Sequence, residues 1–350
     1  FSVLNIGFVL FFVSLVSVHL ATQPSTDKCS GMFTNEVWEG CQVKVPFCQD
    51  LFVAKCDCAV LEMTNYTQKA LPVSFEGLKS LLKLSVYTGQ LEELPQSIGD
   101  NHKRLVFLLV IGNKLKSLPV SVGNLQNLLF LDVDNNRLES LPESVGNLEH
   151  LGNLIIFNNK LKMLPESIGN LHSLRYFSAF NNRLTRLPGS IGNLLNLRQF
   201  YAFNNMLKFL PDSVGNLKSL LDFYLWNNTL TSLPLTMSGM KSLTRVDIRH
   251  NNLIRLPSFI NQWTNLEYLY LAGNPVCENL GLHGGLEKVN GLCKRQCSVD
   301  CPAVWLGRNG CDDLDLIYER TKTYDPTVKP TPDSGCNTKT CEYDNGECRG

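Results

Sequence analysis

The stretch LLFLDVDNNRLESLPESVGNL, residues 128–148, decides how the middle of the chain is read. Its apolar side chains stand at Leu128, Leu131, Val133, Leu138 and Leu141, Asn136 lies between Val133 and Leu138, and a Leu-Pro pair follows at 141–142. The same pair recurs at Leu71-Pro72, Leu94-Pro95, Leu118-Pro119, Leu164-Pro165, Leu187-Pro188, Leu210-Pro211, Leu233-Pro234 and Leu256-Pro257, at a step of 23 residues with a single step of 24. Self-similarity at this period marks a stacked solenoid rather than a globule. Within the unit, Leu131-x-Val133 reads as a short strand whose alternate side chains point inward onto the next coil. Asn136 stands where the chain turns and leaves backbone groups inside. Its carboxamide both donates and accepts, whereas an apolar residue there strands those groups at about 1–3 kcal/mol each. The same reasoning covers Asn113, Asn159, Asn182, Asn205, Asn228, Asn251 and Asn274, with Gly89 and Tyr66 interrupting the column near the N-terminus. The Pro and Gly of the Pro-x-Ser-Ile/Val-Gly-Asn-Leu half forbid a long helix, so one short helical or 3-10 turn per coil is expected on the convex side.

Written as LxxLxLxxNxLxxLP, the unit resembles the leucine-rich repeat. Its LPxSIGNLxxL wording is similar to the subclass found in plant intracellular Ras-group repeat proteins and related signalling scaffolds. The resemblance covers about 71–276. It implies an α/β solenoid of about ten coils over 58–276, with a curved parallel sheet on the concave side, and a role in binding. A secretory start and cysteine-rich ends set this chain apart from those scaffolds.

Of the 13 cysteines, five fall between Cys29 and Cys58, eight between Cys277 and Cys348, and none between. Free thiols at this density scramble outside a reducing compartment, while each bridge stabilises a small lid by roughly 2–4 kcal/mol. The pattern predicts two stapled ends and a secreted or cell-surface chain. Residues 1–21 read as a signal peptide, almost continuously apolar from Val9 to Val18 and followed by Ala21-Thr22-Gln23-Pro24; an uncleaved signal anchor is the other reading. No later segment is long and apolar enough to span a bilayer. Residues 22–57 are then a cap holding Cys41, Cys48 and Cys56, with Cys58 in the first coil and Cys29 left odd. Leu271 to Cys277 resembles the start of a C-terminal cap over 277–296, for which Cys277 with Cys293 is the obvious bridge.

Beyond the caps, Cys301-Pro-Ala-Val-Trp305-Leu-Gly-Arg-Asn-Gly310-Cys311-Asp312-Asp313 and Cys336-Asn337-Thr-Lys-Thr-Cys341-Glu-Tyr343-Asp344-Asn-Gly346-Glu347-Cys348 resemble a Lin-12/Notch repeat over 297–350. That resemblance implies three disulfides, Cys297–Cys341, Cys301–Cys336 and Cys311–Cys348, and one calcium ion. Asn337, Asp344 and Glu347 are the candidate ligands, since a hard cation wants several oxygens and a module this small gains fold from binding one. Glu347 stands where the family has Asp, and residues 312–335 are an insertion. A disulfide knot with solvated acids and no calcium is the alternative.

With 32 basic and 32 acidic residues the chain offers no basic footprint for nucleic acid. Closely spaced thiols at Cys56-x-Cys58 and Cys293 to Cys301 admit a zinc site, but oxidising conditions favour disulfides and no HxxxH or HExxH pattern accompanies them. No nucleophile elbow or phosphate-cradling loop is present, so a binding protein is expected rather than an enzyme. If Leu131 and Val133 point in, their neighbours point out. The outward positions are Phe130, Asp132, Asp134 and Asn135, then Asn153, Ile155 and Phe157, and onward coil by coil. They gather Phe157, Tyr176, Phe180, Tyr201, Phe203, Tyr224, Trp226, Arg249, Tyr268 and Tyr270 into neighbouring columns, an apolar patch rimmed by charge that predicts a protein or glycan partner. Aromatics that only brace neighbouring strands are the alternative. Two sequons, at Asn65 and Asn227, fit secretion, and Asn227 is expected beside Trp226 on an outward strand position. An extracellular-matrix component and an intracellular scaffold are the remaining functional alternatives.

Overall fold

The computed structural model describes residues 42–44, 59–278 and 304–305. Ten strands run parallel in chain order: β2 (Val60–Thr64), β3 (Lys83–Tyr87), β4 (Phe107–Ile111), β5 (Phe130–Asp132), β6 (Asn153–Ile155), β7 (Tyr176–Ser178), β8 (Gln199–Tyr201), β9 (Asp222–Tyr224), β10 (Arg245–Asp247) and β11 (Tyr268–Tyr270). Each pairs with its neighbour in the register of the repeat, as in Leu131 with Leu154 and Phe177 with Phe200. Two antiparallel strands flank them, β1 (Gln42–Lys44) on β2 and β12 (Val304–Trp305) on β11. The parallel sheet predicted from the repeat is present; the signal peptide, nearly all of both caps and the Notch-like module lie outside the described residues.

Each strand from β2 to β10 is followed by a tight return built on Leu-Pro. The proline ends the extended segment at φ near −66° and a five-residue 3-10 helix follows, as at Val120–Asn124, Glu143–Asn147 and Glu166–Asn170. The sequence demands a glycine here. A Cβ on Gly146 would stand 2.3 Å from the carbonyl oxygen of Ser167 in the next coil, so neighbouring turns touch backbone to backbone. The lone 24-residue step has its own solution. Between Pro95 and Leu105 the extra residue turns the 3-10 segment into one α-helical turn, α1 (Ile98–Asn101), and places His102 where six other coils carry leucine and two carry Met240 and Trp263. His102 is buried, its Nδ1 3.0 Å from the Leu78 carbonyl oxygen and its ring 4.3 Å from Phe75. Burial pushes its pKa down, so the ring is accommodated neutral.

One continuous core runs the length of the solenoid, from Leu61 to Val276, filled by the inward members of every coil. The asparagine column borders it. Asn159 shows the unit: its Nδ2 donates to the carbonyl oxygens of Val133 (3.0 Å), Ile156 (3.1 Å) and Phe157 (3.2 Å), and its Oδ1 accepts from Leu138 N–H at 2.9 Å. One side chain thus joins its own turn to the coil before it. The two interruptions have reasons. A Cβ on Gly89 would meet Asn113 Oδ1 at 2.5 Å, and Tyr66 caps the row with its hydroxyl donating to the Ala70 carbonyl oxygen at 2.9 Å.

Candidate functional site

The sheet face turned away from the core carries a second set of packed side chains. Leu109, Phe130, Ile155 and Phe157 form an apolar cluster separate from the solenoid core, with Phe107, Tyr176 and Phe180 against it. From there the rings continue in a column along the third outward position. Phe157 and Phe180 stack at 4.2 Å and 9°, Phe180 and Phe203 at 4.3 Å and 9°, and Phe203 and Trp226 at 4.6 Å and 11°. Beside it Tyr201 and Tyr224, equivalent positions of β8 and β9, tilt together at 5.0 Å, and Tyr176 meets Tyr201 edge-on at 5.5 Å from the diagonal, since Ser178 is the residue in register with Tyr201. The 23-residue register puts aromatic on aromatic, because parallel in-register strands bring equivalent positions about 4.8 Å apart, close to ring-stacking distance.

The rings differ in exposure. Tyr201 and Phe203 are only 3 % and 2 % exposed, and Phe157 and Tyr270 are buried as well. Tyr176, Phe180, Tyr224, Trp226, Arg249 and Tyr268 are half-buried. The face is therefore a packed layer with a few accessible edges rather than an open carpet of aromatic surface.

Charge divides this face. Toward its N-terminal end Asp132 and Asp134 are both buried beside the apolar cluster, and Asp132 Oδ1 accepts from the Asp134 N–H at 3.1 Å. Burial raises both carboxyl pKa values, with repulsion from Asp134 adding to the rise at Asp132; Asp134 is pushed up to about 7. Toward the C-terminal end the carboxylates are paired. Arg245 grips Asp222 through Nε at 2.6 Å and Nη2 at 3.0 Å, while Gln199 Nε2 donates to Asp222 at 2.9 Å. Arg249 Nη2 donates to Asp247 at 2.8 Å and its guanidinium lies 5.1 Å from the centre of the Tyr270 ring. The Tyr224 and Tyr270 hydroxyls are held protonated, by burial first and by Asp222 and Asp247 next, and so remain donors.

A row not anticipated from the sequence borders the face. Asn135, Asn158, Asn181, Asn204 and Asn227 all have φ of 51–52°; from Asn158 onward each Nδ2 donates to the Oδ1 of the row's residue one coil earlier at 2.6–2.8 Å, while Asn135 Nδ2 donates to Asp134 Oδ1. Asn135 and Asn227 are thus left-handed turn residues and not the outward strand residues expected. The doubled asparagines were the visible signal, since among residues with a Cβ asparagine tolerates this conformation best. The Asn227 amide, expected to carry a glycan, is 2.7 Å from Asn204 Oδ1, whereas exposed Asn65 uses its Oδ1 to accept from Thr88 Oγ1 at 3.0 Å.

Asn337, Asp344 and Glu347, and the side chains of Cys277, Cys293, Cys297, Cys301, Cys311, Cys336, Cys341 and Cys348, lie outside the described residues. Among the described residues no group of three or more His, Cys, Asp or Glu side chains is arranged to hold a metal, and no helix is long and apolar enough to cross a membrane.

Residues 100–201 match a family model described as a leucine-rich repeat region. The fold is a leucine-rich-repeat solenoid. Among solved structures, the chain is similar to a leucine-rich repeat protein of Leptospira interrogans, at 32 % identity and a TM-score of 0.57 over 60 % of this chain and 54 % of that one. It is also similar to the Arabidopsis receptor kinase HAESA, solved in complex with the peptide hormone IDA and the co-receptor SERK1, at 26 % identity and a TM-score of 0.50 over 63 % and 43 %. The plant peptide hormone receptor RGFR1, at 24 % identity and a TM-score of 0.56 over 66 % and 40 %, shares the fold. The chain spans about half or less of the length of these three. No curated protein matches its sequence.

Proposed function

We propose that the chain is a secreted or cell-surface recognition protein, without catalytic activity, that binds a peptide or protein partner along the outer face of its repeat sheet. The observation that carries this reading is the stacked column from Phe157 to Trp226 with Tyr176, Tyr201 and Tyr224 packed beside it, leaving half-buried edges at Tyr176, Phe180, Tyr224 and Trp226. Aromatic side chains held rigid by stacking lose little freedom on binding, which is the property of interface anchors. The peptide bound by HAESA supports the choice of ligand class over a glycan. Cysteine-stapled caps, the glycans at Asn65 and Asn227 and a calcium ion on Asn337, Asp344 and Glu347 belong to the same proposal, resting on the sequence pattern.

A bracing role for the rings has its own support in the near-complete burial of Tyr201 and Phe203. The two readings separate experimentally. A photo-cross-linking amino acid placed at Tyr224 should capture peptides selected on the protein from a random phage-displayed library, and the same group at Glu143 on the far side should not. Equal capture at both positions, or capture only at Glu143, contradicts recognition by the sheet face.

A further inference from the structure

The zero net charge of the chain hides a segregation. Residues 58–276 hold 20 basic and 15 acidic side chains, a net of +5 that the two ends offset. The excess is concentrated on one flank, the segment between each ladder asparagine and the following Leu-Pro. From Lys114 to Lys208 this flank carries eight cations against the single carboxylate of Glu139. Lys114, Arg137, Lys160 and Arg183 take the same position in four consecutive coils, so they form a row with a spacing of about 4.8 Å per coil. Lys116 reaches Glu92 at 3.5 Å, and among the described residues no other cation of this row or its neighbours has a carboxylate within ion-pair distance.

The same flank exposes large apolar side chains. Phe209 is 62 % exposed, Met206 52 % and Met163 51 %, and Arg186 lies between Met163 and Phe209, its Nη2 3.5 Å from the Met163 sulfur. Isolated exposed apolar residues are ordinary, but here three stand among unpaired cations on neighbouring coils. We propose that this flank docks on a membrane surface rich in anionic lipid. The row of cations meets the headgroup charge, and Phe209, Met206 and Met163 enter the boundary between headgroups and acyl chains. A soluble polyanion such as a sulfated polysaccharide would satisfy the cations and leave those apolar tips in water; a bilayer interface takes both. The docked flank adjoins the outer sheet face without covering it, so a sheet-bound partner and a membrane can be held together.

Co-sedimentation of the full chain with vesicles tests this, using phosphatidylcholine mixed with phosphatidylglycerol against phosphatidylcholine alone. Binding is expected only to the anionic vesicles and should fall as salt rises. The double variant Lys160→Glu, Arg183→Glu should weaken it at least about tenfold, and Met206→Ser, Phe209→Ser at least about fivefold. All four positions are exposed, and an unchanged melting curve verifies the fold. Trp226→Ala should leave vesicle binding intact, which keeps this outcome separate from the fate of the sheet-face reading. No binding to anionic vesicles overturns the proposal. So does binding lost with the charge variant but retained in full by Met206→Ser, Phe209→Ser, which would mark the flank as a site for a soluble polyanion.

Discussion

Asn159 makes four hydrogen bonds in a place water does not reach; its replacement by alanine strands the Leu138 N–H and takes one of two donors from each of the Val133, Ile156 and Phe157 carbonyl oxygens, which keep Asn136, Asn182 and the Asn135 N–H respectively. Asn159→Ala should therefore cost about 1–3 kcal/mol, measured by chemical denaturation, whereas Asn153→Ala on the half-buried outer face should cost little. The pair Asp132 and Asp134 predicts a pH effect of unusual sign. Asp134 titrates near 7 in the fold and near 4 in the unfolded chain, so between those values the folded state holds more protons and stability falls as pH rises. Asp134→Asn should remove that loss, raising stability by at least about 1.4 kcal/mol at a pH of about 8 and having little effect at a pH of about 4. Thermal melts at the two pH values would show it; equal shifts at both would assign the gain to packing instead. The buried ladder was legible because an amide at a fixed step inside an apolar pattern has few other uses. The row at Asn135 to Asn227 was not, because the doubled asparagine shows a second column but strand alternation places that column on the outward face instead of in a left-handed turn. The burial of the two aspartates was hidden too, since an outward strand position normally implies solvent.

Every coil but the one holding α1 alternates a short strand with a 3-10 turn, and glycine sets the contact between successive turns from Gly123 to Gly215. Gly146→Ala forces a Cβ against the Ser167 backbone and should destabilise by roughly 1–3 kcal/mol. Gly189, in the first position of its 3-10 segment, has nothing within 4 Å of the place a Cβ would occupy, so Gly189→Ala should stabilise by about 0.4–1 kcal/mol through the unfolded chain. Differential scanning calorimetry of the two variants checks both signs together. The Pro-x-Ser-Ile/Val-Gly-Asn-Leu motif announced a short turn on steric grounds and the turn is there. What the sequence left open was the answer to the 24-residue step: an inserted residue can loop out or be wound in, and here α1 winds it in at the expense of a buried histidine.

At the scale of the whole molecule, the period made the solenoid legible, because 23 residues per coil and inward leucines leave one way to stack. The outer face was legible only in outline. Alternation identified which rings leave the core, but their exposure depends on how the columns stack, and stacking is a property of neighbouring coils rather than of any one. The charged flank was invisible in a net charge of zero, since it appears only when equivalent positions are aligned in space. For the cysteine-rich tail, calcium should protect residues 297–348 from limited proteolysis, chelation should expose them, and Asp344→Ala should mimic chelation. Cleavage indifferent to calcium would favour a plain disulfide knot. The central claim, that the outer sheet face is the recognition surface, is tested most directly by the dissociation constant of a library-selected peptide for the wild type and for Trp226→Ala, alongside their melting curves. Recognition predicts at least about a tenfold loss of affinity with the melting temperature nearly unchanged, because Trp226 is half-buried at the end of its column. Unchanged affinity in a variant that melts earlier would mean that the rings only brace the sheet.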